Sequence, residues 1–257
     1  QVITIGSENQ VRISTKYKID DNSENVENEI EQRLYTGLKP LLKENVTQEQ
    51  FVQDYIKSSQ KVGPTVASDI RNAAIWSIVF ALLAIGLYIL IRFHELGYAL
   101  GAVLSLLHDA IITIGLFSLF YSVMPFSMEI NLSFIAAILT VLGYSINDTV
   151  IIYDRIREYI KLYPKRDRLS IMNNAINATL SRTFNTAMTT LLVLIIIFIF
   201  GGETIRGFIF ALLFGIGIGT YSSVFVASPL TYEYYKWKTK REAKKIGGTK
   251  KVIVKTT

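Results

Sequence analysis

The sequence predicts a polytopic α-helical membrane protein: five transmembrane helices, preceded by a partial small α/β extracytoplasmic domain. Three observations carry the prediction. Half of the 257 residues are hydrophobic and the mean hydropathy is +0.33, values that soluble domains seldom reach. The apolar residues are bunched into five long runs, each near the ~20 residues that cross a bilayer as a helix. The basic residues collect in one connection and at the C-terminal end, a bias that membrane topology explains. With no cysteine, the chain has neither a disulfide framework nor a thiolate metal site.

The extracytoplasmic piece is assigned to residues 1–67. In "QVRISTKYKI", Val11, Ile13, Thr15, Tyr17 and Ile19 alternate with polar neighbours, the pattern of a half-buried strand. "DNSENVENEIEQRLYTGLKPLL" opens on capping residues and early acids. Val26, Ile30, Leu34 and Leu38 then recur every four residues, as on an amphipathic helix. Gly37 and Pro40 weaken its end. Thr47 and Gln50 stand in capping-box spacing ahead of a second short helix. "SSQKVGPTVA" reads as a closing strand with a turn at Gly63-Pro64. This is too little chain for a large core. The first residue is Gln, with no signal peptide ahead of it, so an earlier segment is expected to precede it.

The transmembrane bundle is assigned to residues 68–235, with spans at 73–92, 96–123, 130–153, 183–202 and 207–232. The runs Ala73–Ile91, Thr183–Gly202 and Gly207–Tyr232 carry no charge. The second span is interrupted by His108-Asp109 and the third by Asn147-Asp148. The loop 154–182 is cytoplasmic. Pro164 breaks it, and Leu169, Met172, Ile176 and Leu180 fall on one side of an interfacial helix that feeds the fourth span. Residues 236–257 form a basic, solvated, flexible cytoplasmic tail.

Charge sets the orientation. Arg155, Arg157, Lys161, Lys165, Arg166, Arg168 and Arg182 lie in or beside the loop, and the tail is dense in lysine. The positive-inside rule puts both in the cytoplasm, and five spans then leave residues 1–70 outside. That segment holds eight basic and eleven acidic side chains, a net of −3. The overall charge of +6 is therefore a signal of topology and of anionic lipid, with no nucleic acid expected as a partner.

Between helices in lipid, small residues allow close packing and polar groups seek partners. Four spans show such a row. In the second it is Gly97, Gly101, Ser105, Asp109 and Thr113. In the third it is Ser133, Ala136, Thr140, Tyr144 and Asp148, with Gly143 and Asn147 beside it. The fourth has Arg182, Asn185, Thr186 and Thr189, and the fifth Gly207, Ala211, Gly215, Gly219 and Ser223. Gly97, Gly101, Gly143, Gly215 and Gly219 are expected to pack helices closely. The charged members are different, because an ionised Asp near the bilayer centre costs ~2.5–3.5 kcal/mol on insertion scales. Asp148 lies about 10 Å inside the cytoplasmic edge by helix rise, and Arg182 enters at a similar depth, so the two can face each other. Asp148 has a structural reading, a hydrogen-bonded helix contact shared with Asn147, and a functional one, a proton site. Arg182 is equally an end anchor or a partner of Asp148. His108-Asp109 is equally a buried structural pair. A carboxyl that gains and loses a proton changes its charge and lets helices repack. No catalytic nucleophile, phosphate loop or metal-ligand motif competes, so no enzyme activity, metal or cofactor is expected.

Five ordered segments carry a resemblance: "VGPTVASDIRNAAIWSI", "ALGAVLSLLHDAIITIGLF", "VLGYSINDTVIIYDRIRE", "LSRTFNTAMTTLL" and "IRGFIFALLFGIGIGTYSSVFVASPL". Together they resemble the signature segments of SecF, the smaller half of the bacterial SecD/SecF protein-export complex, in the resistance-nodulation-division superfamily. The likeness covers about residues 60–232, and residues 1–59 resemble the rear of the SecF outer domain more weakly. It implies a sixth span ahead of this segment and a cytoplasmic (inner) membrane location. It also implies a pseudo-symmetric SecD partner, separate or fused. The complex would act with the SecYEG channel, on preproteins driven by SecA, and beside a membrane insertase. Its implied role is to help pull preproteins outward at the expense of the proton gradient. The "SINDT" aspartate and "LSRT" arginine, tied there to proton conduction, stand here as Asp148 and Arg182. Asn147 and Asp109 would support that relay. Two other readings stay open: a superfamily exporter of lipid or small molecules, and a non-conducting scaffold for the Sec channel or insertase.

Overall fold

The computed structural model describes the chain apart from residues 1, 5–9, 20, 22, 24, 44–45, 58, 60–63, 122 and 256–257. It divides into two units, Gln1–Ala73 and Ala74–Thr257.

In the first unit, strands β1 (Val2–Thr4) and β2 (Val11–Ile13) pair antiparallel, with Val2 opposite Ile13. The strand expected to run on to Ile19 stops at Ile13. Lys18 adopts a left-handed φ of 48°, and Ile19 N–H donates to Lys16 O, so the chain turns there instead. Helix α1 (Asn25–Leu38) runs into a 3₁₀ turn at Lys39–Leu41, where Pro40 has no N–H to continue the ladder. Helix α2 (Gln48–Asp54) begins at the expected capping box. Thr47 Oγ1 accepts from Gln50 N–H, and Gln50 Oε1 accepts from Thr47 N–H. Tyr17 Oη donates to Glu29 Oε1 at 2.6 Å, and Lys18 Nζ lies 2.5 Å from Glu29 Oε2. The Lys18 and Tyr17 hydrogen bonds, followed by the charges of Lys18 and Arg33, hold the Glu29 carboxyl down at about 2. Part of the expected closing strand, residues 64–67, is helical; residues 58 and 60–63 lie outside the described residues.

Among the described residues, five helices are long and apolar enough to cross a membrane. They are α3 (Pro64–Phe93), α4 (Leu96–Phe120), α5 (Leu132–Leu162), α6 (Arg168–Phe200), and a continuous path from α7 (Glu203–Ser222) through a π-helical segment (Ser223–Ala227) into α8 (Ser228–Lys255). Between α3 and α4 only His94 and Glu95 intervene, and His94 takes the left-handed φ of 57° that reverses the chain. The π segment has a cause. Pro229 lacks an N–H, and its ring would strike the Phe225 carbonyl in an α-helix. The wider turn makes room, and hydroxyls serve the carbonyls: Ser228 Oγ donates to Ser223 O and Thr231 Oγ1 to Ala227 O.

The helices overrun the expected spans on the basic side. The loop 154–182 shrinks to a few residues, because α5 continues to Leu162 and α6 starts at Arg168 on an Asp167 N-cap. The expected interfacial helix is the first part of α6 itself. The expected flexible tail is helical as far as Lys255. Ion pairs explain how α5 persists in water: Asp154 meets Arg157 at 3.0 Å and Arg92 at 3.3 Å, and Arg155 meets Glu158 at 2.8 Å.

Among the described residues, most buried apolar side chains of the second unit fall into two clusters. One gathers Leu106, Phe117, Phe134, Val141, Phe210 and Ile216 among others. The other gathers Phe93, Tyr98, Ile152, Tyr153, Met172 and Val224 among others. Along α5 the first cluster ends at Leu142 and the second begins at Ile152. Along the last helix the break lies between Ile216 and Val224. What fills the gap is polar.

Candidate functional site

The face of α5 that meets its neighbours carries Val141, Ser145, Asp148, Thr149 and Ile152, all buried. Two glycines set how closely α7 approaches it. A Cβ on Gly215 would strike the Val141 side chain, and one on Gly219 would stand 2.9 Å from Ser145 Cβ. Backbones this close bring the polar side chains of α4, α5 and α7 into one layer.

Asp148 is 1% exposed. Its Oδ2 is buried without a hydrogen-bond partner. The Thr220 hydroxyl on α7 is set against the carboxyl without closing a hydrogen bond, and it too is buried and unpartnered. Thr183 on α6 carries another buried, unpartnered hydroxyl. Arg182, the neighbour of Thr183, acts on Asp148 electrostatically but forms no ion pair with it among the described residues. An acid held this way can change its charge without first breaking a salt bridge.

Asp109, from α4, is fully buried, and each of its oxygens lies within hydrogen-bond distance of a polar side chain. Its Oδ2 accepts from Ser145 Oγ at 2.6 Å and from Ser222 Oγ at 2.7 Å, and its Oδ1 lies 3.1 Å from His108 Nδ1. Below it, Thr149 Oγ1 donates to Ser223 Oγ, and Ser223 Oγ donates to the carbonyls of Ser145 and Gly219. Further along α5, Tyr153 Oη and Thr231 Oγ1 are 2.8 Å apart, and Thr231 Oγ1 also reaches Gly97 O. Hydroxyls thus tie α5 to the last helix at three successive levels.

The residues expected to act together are only partly brought together. Asp148 and Asp109 share the layer. Asn147 is exposed, on the other side of α5, so it does not share a contact with Asp148. Arg182, Asn185, Thr186 and Thr189 form the outward side of α6, whose buried side is Ala175, Thr179, Thr183 and Ala187. On α5 the expected row fails as a single face. Ser133, Ala136 and Thr140 are exposed, whereas Asp148 faces inward with Ser145. Each four-residue step turns about 40° around a 3.6-residue helix, so Ala136 stands about 120° round from Asp148. Gly143 does not pack against another helix of this chain: it is exposed, with nothing within 4 Å of where a Cβ would stand. The row on α4 is buried throughout, because its drift is followed by successive neighbours. Gly97 meets Tyr234, Gly101 meets Thr231, and Asp109 meets Ser145 and Ser222. Ser145, Thr183, Thr220 and Ser222 were not singled out by spacing. The one available signal was Ser145, three residues from Asp148 and hence on its face.

The helices that build this layer, α4, α5 and α7, lie within residues 42–237, which match the family model for the C-terminal part of the protein export membrane proteins SecD and SecF. The chain belongs to the SecD/SecF family. A protein translocase subunit SecF from Rhodothermus marinus is 52% identical over 206 residues, which cover 80% of this chain and 64% of that one. The SecF subunit of Cereibacter sphaeroides is 47% identical over 170 residues, covering 66% and 50%. The crystal structure of SecDF from Thermus thermophilus, a translocon-associated membrane protein, superposes with a TM-score of 0.61 at 35% identity, covering 73% of this chain and 26% of that one. The chain therefore spans between half and two thirds of these two SecF relatives. It shares with SecDF the resistance-nodulation-division-like helical bundle.

Proposed function

We propose that this chain is the membrane part of a SecF-type subunit that works with a SecD partner in Sec protein translocation, and that the proton gradient drives it. The observation that carries the reading is Asp148, a carboxyl sealed inside a membrane span with one oxygen unpartnered and, among the described residues, no ion pair. A buried acid is costly in a membrane and is kept there for function more often than for packing. Asp148 is the group that takes up and releases the proton. Arg182 adjusts its charge from the rim, and Thr220 supplies the hydroxyl beside it. When the charge changes, the packing of α5 against α6 and α7 changes with it. That motion is passed to an outer domain that holds preprotein emerging from the SecYEG channel after SecA has pushed it through. The basic loop and tail lie in the cytoplasm and residues 1–70 outside, as the positive-inside rule requires. Anionic lipid and a membrane insertase complete the set of partners.

The test uses vesicles holding the full-length subunit, SecD and the Sec channel. Collapsing the proton gradient with a protonophore should slow completion of preprotein transport while ATP-driven initiation continues. Completion that proceeds equally fast with and without the gradient would favour a scaffold and sink the driven reading.

A further inference from the structure

We infer that Asp109 is a positioning residue for Asp148: it acts as a neutral-tolerant hydrogen-bond clasp and not as a second proton carrier. The inference rests on the reading of Asp148 as the proton site.

The clasp joins three helices at one carboxyl oxygen. Asp109 Oδ2, on α4, accepts from Ser145 on α5 and Ser222 on α7. Ser145 is three residues before Asp148 and on the same helix face; Ser222 is two residues beyond Thr220, the hydroxyl set against Asp148. The Gly219–Ser145 approach lies at the same level. Asp109 therefore fixes the register of the two helices whose contact buries Asp148, one turn away from it. The π segment begins at Ser223, directly after the clasp. Single π turns in long helices mark places where the helix adjusts locally. A clasp on one side of that segment lets the strain of Pro229 be absorbed beyond Ser222 without disturbing Thr220.

The hydrogen-bond inventory separates a clasp from a carrier. Asn in place of Asp109 keeps one oxygen with two lone pairs, enough for both hydroxyls, and its amide can donate to a neutral His108 Nδ1. Ala keeps none of this and leaves the two serines to find new partners. A residue that works by geometry is thus rescued by Asn, whereas one that works by carrying a proton is not.

Proton flux is read in vesicles holding the full-length complex, normalised to assembled protein, for Asp109→Ala, Asp109→Asn, Ser222→Ala and Asp148→Asn. Asp109→Ala should fall by about tenfold and Asp109→Asn should recover to within about threefold of the parent. Ser222→Ala, which removes one donor of two, should fall between them. If Asp109→Asn is as inactive as Asp109→Ala, the charge does the work and the inference is overturned. It is also overturned if Asp109→Ala matches the parent. Should Asp109→Ala fail to assemble, Ser222→Ala decides, and parent-like flux from it counts against the clasp. Parent-like flux from Asp148→Asn is a separate outcome: it removes the proton site itself, and the clasp with it, whatever the Asp109 ranking.

Discussion

An Asp148→Asn chain should assemble normally with SecD and lose gradient-driven transport. Asn has the shape of Asp, keeps a polar group against Thr220 and cannot ionise. No ion pair is broken by the change, because Arg182 makes none with Asp148 among the described residues. Helix packing around Val141, Ser145 and Ile152 is untouched. What disappears is the coupling. One proton moved through 100 mV supplies ~2.3 kcal/mol, about a fiftyfold bias between two helix arrangements. Without a group to carry that proton, the rate of gradient-assisted completion should fall by about that factor, to the level of ATP-driven transport alone. Rates of preprotein completion in vesicles, with and without the gradient, check this. A variant that still responds to the gradient as the parent does would show that another group carries the proton.

Gly101→Leu should do the opposite: it leaves every titratable group in place and destroys the fold around them. At Gly101 a Cβ would stand 2.7 Å from Tyr153 Oη and 2.8 Å from the Ala227 carbonyl, and would also strike Thr231 Oγ1. None of these can yield easily. Tyr153 is fully buried, bonded to Thr231, and wedged against Tyr98 and Phe93 with ring centroids 4.7 and 5.7 Å away. Ala227 O is backbone and already accepts from Thr231. Overpacking of this kind costs about 1–3 kcal/mol, and an orphaned Tyr153 hydroxyl adds a similar amount. Together these are a large part of a domain's stability. Gly115→Leu on the same helix is the control, because nothing lies within 4 Å of a Cβ there. Thermal unfolding in detergent should drop sharply for Gly101→Leu and stay near the parent for Gly115→Leu. Equal melting of the two would refute the close α4–α8 contact.

These contrasts show what the sequence could and could not convey. Spans are legible because crossing a bilayer demands only length and apolarity, and five runs meet that demand. Where a helix stops is less legible. Asp154–Leu162 is charged, as a loop would be, yet ion pairs spaced three apart and the Arg92 contact carry the helix through it. Asp148 stood out because charge is scarce inside a span. Thr183, Thr220 and Ser222 did not, because a hydroxyl in a helix can be bonded to its own backbone, as Thr186 is, or be aimed at a neighbour. Only the packing tells which. The same is true of Asn147 and Arg182: sequence put them beside Asp148, and the fold turns them outward from this chain. Gly97, Gly101, Gly215 and Gly219 are each met closely by another helix, whereas Gly143 has the same spacing and no such neighbour.

In the proposed mechanism one sealed acid, Asp148, alternates between its two protonation states as the subunit works. Difference infrared spectroscopy of the assembled complex reads that directly, through the carbonyl stretch of a protonated carboxyl. Imposing a proton gradient across the vesicles should change the intensity of one such band, and that band should be absent from Asp148→Asn. A parent spectrum with no carboxyl band responding to the gradient, or one that persists unchanged in Asp148→Asn, would contradict the account.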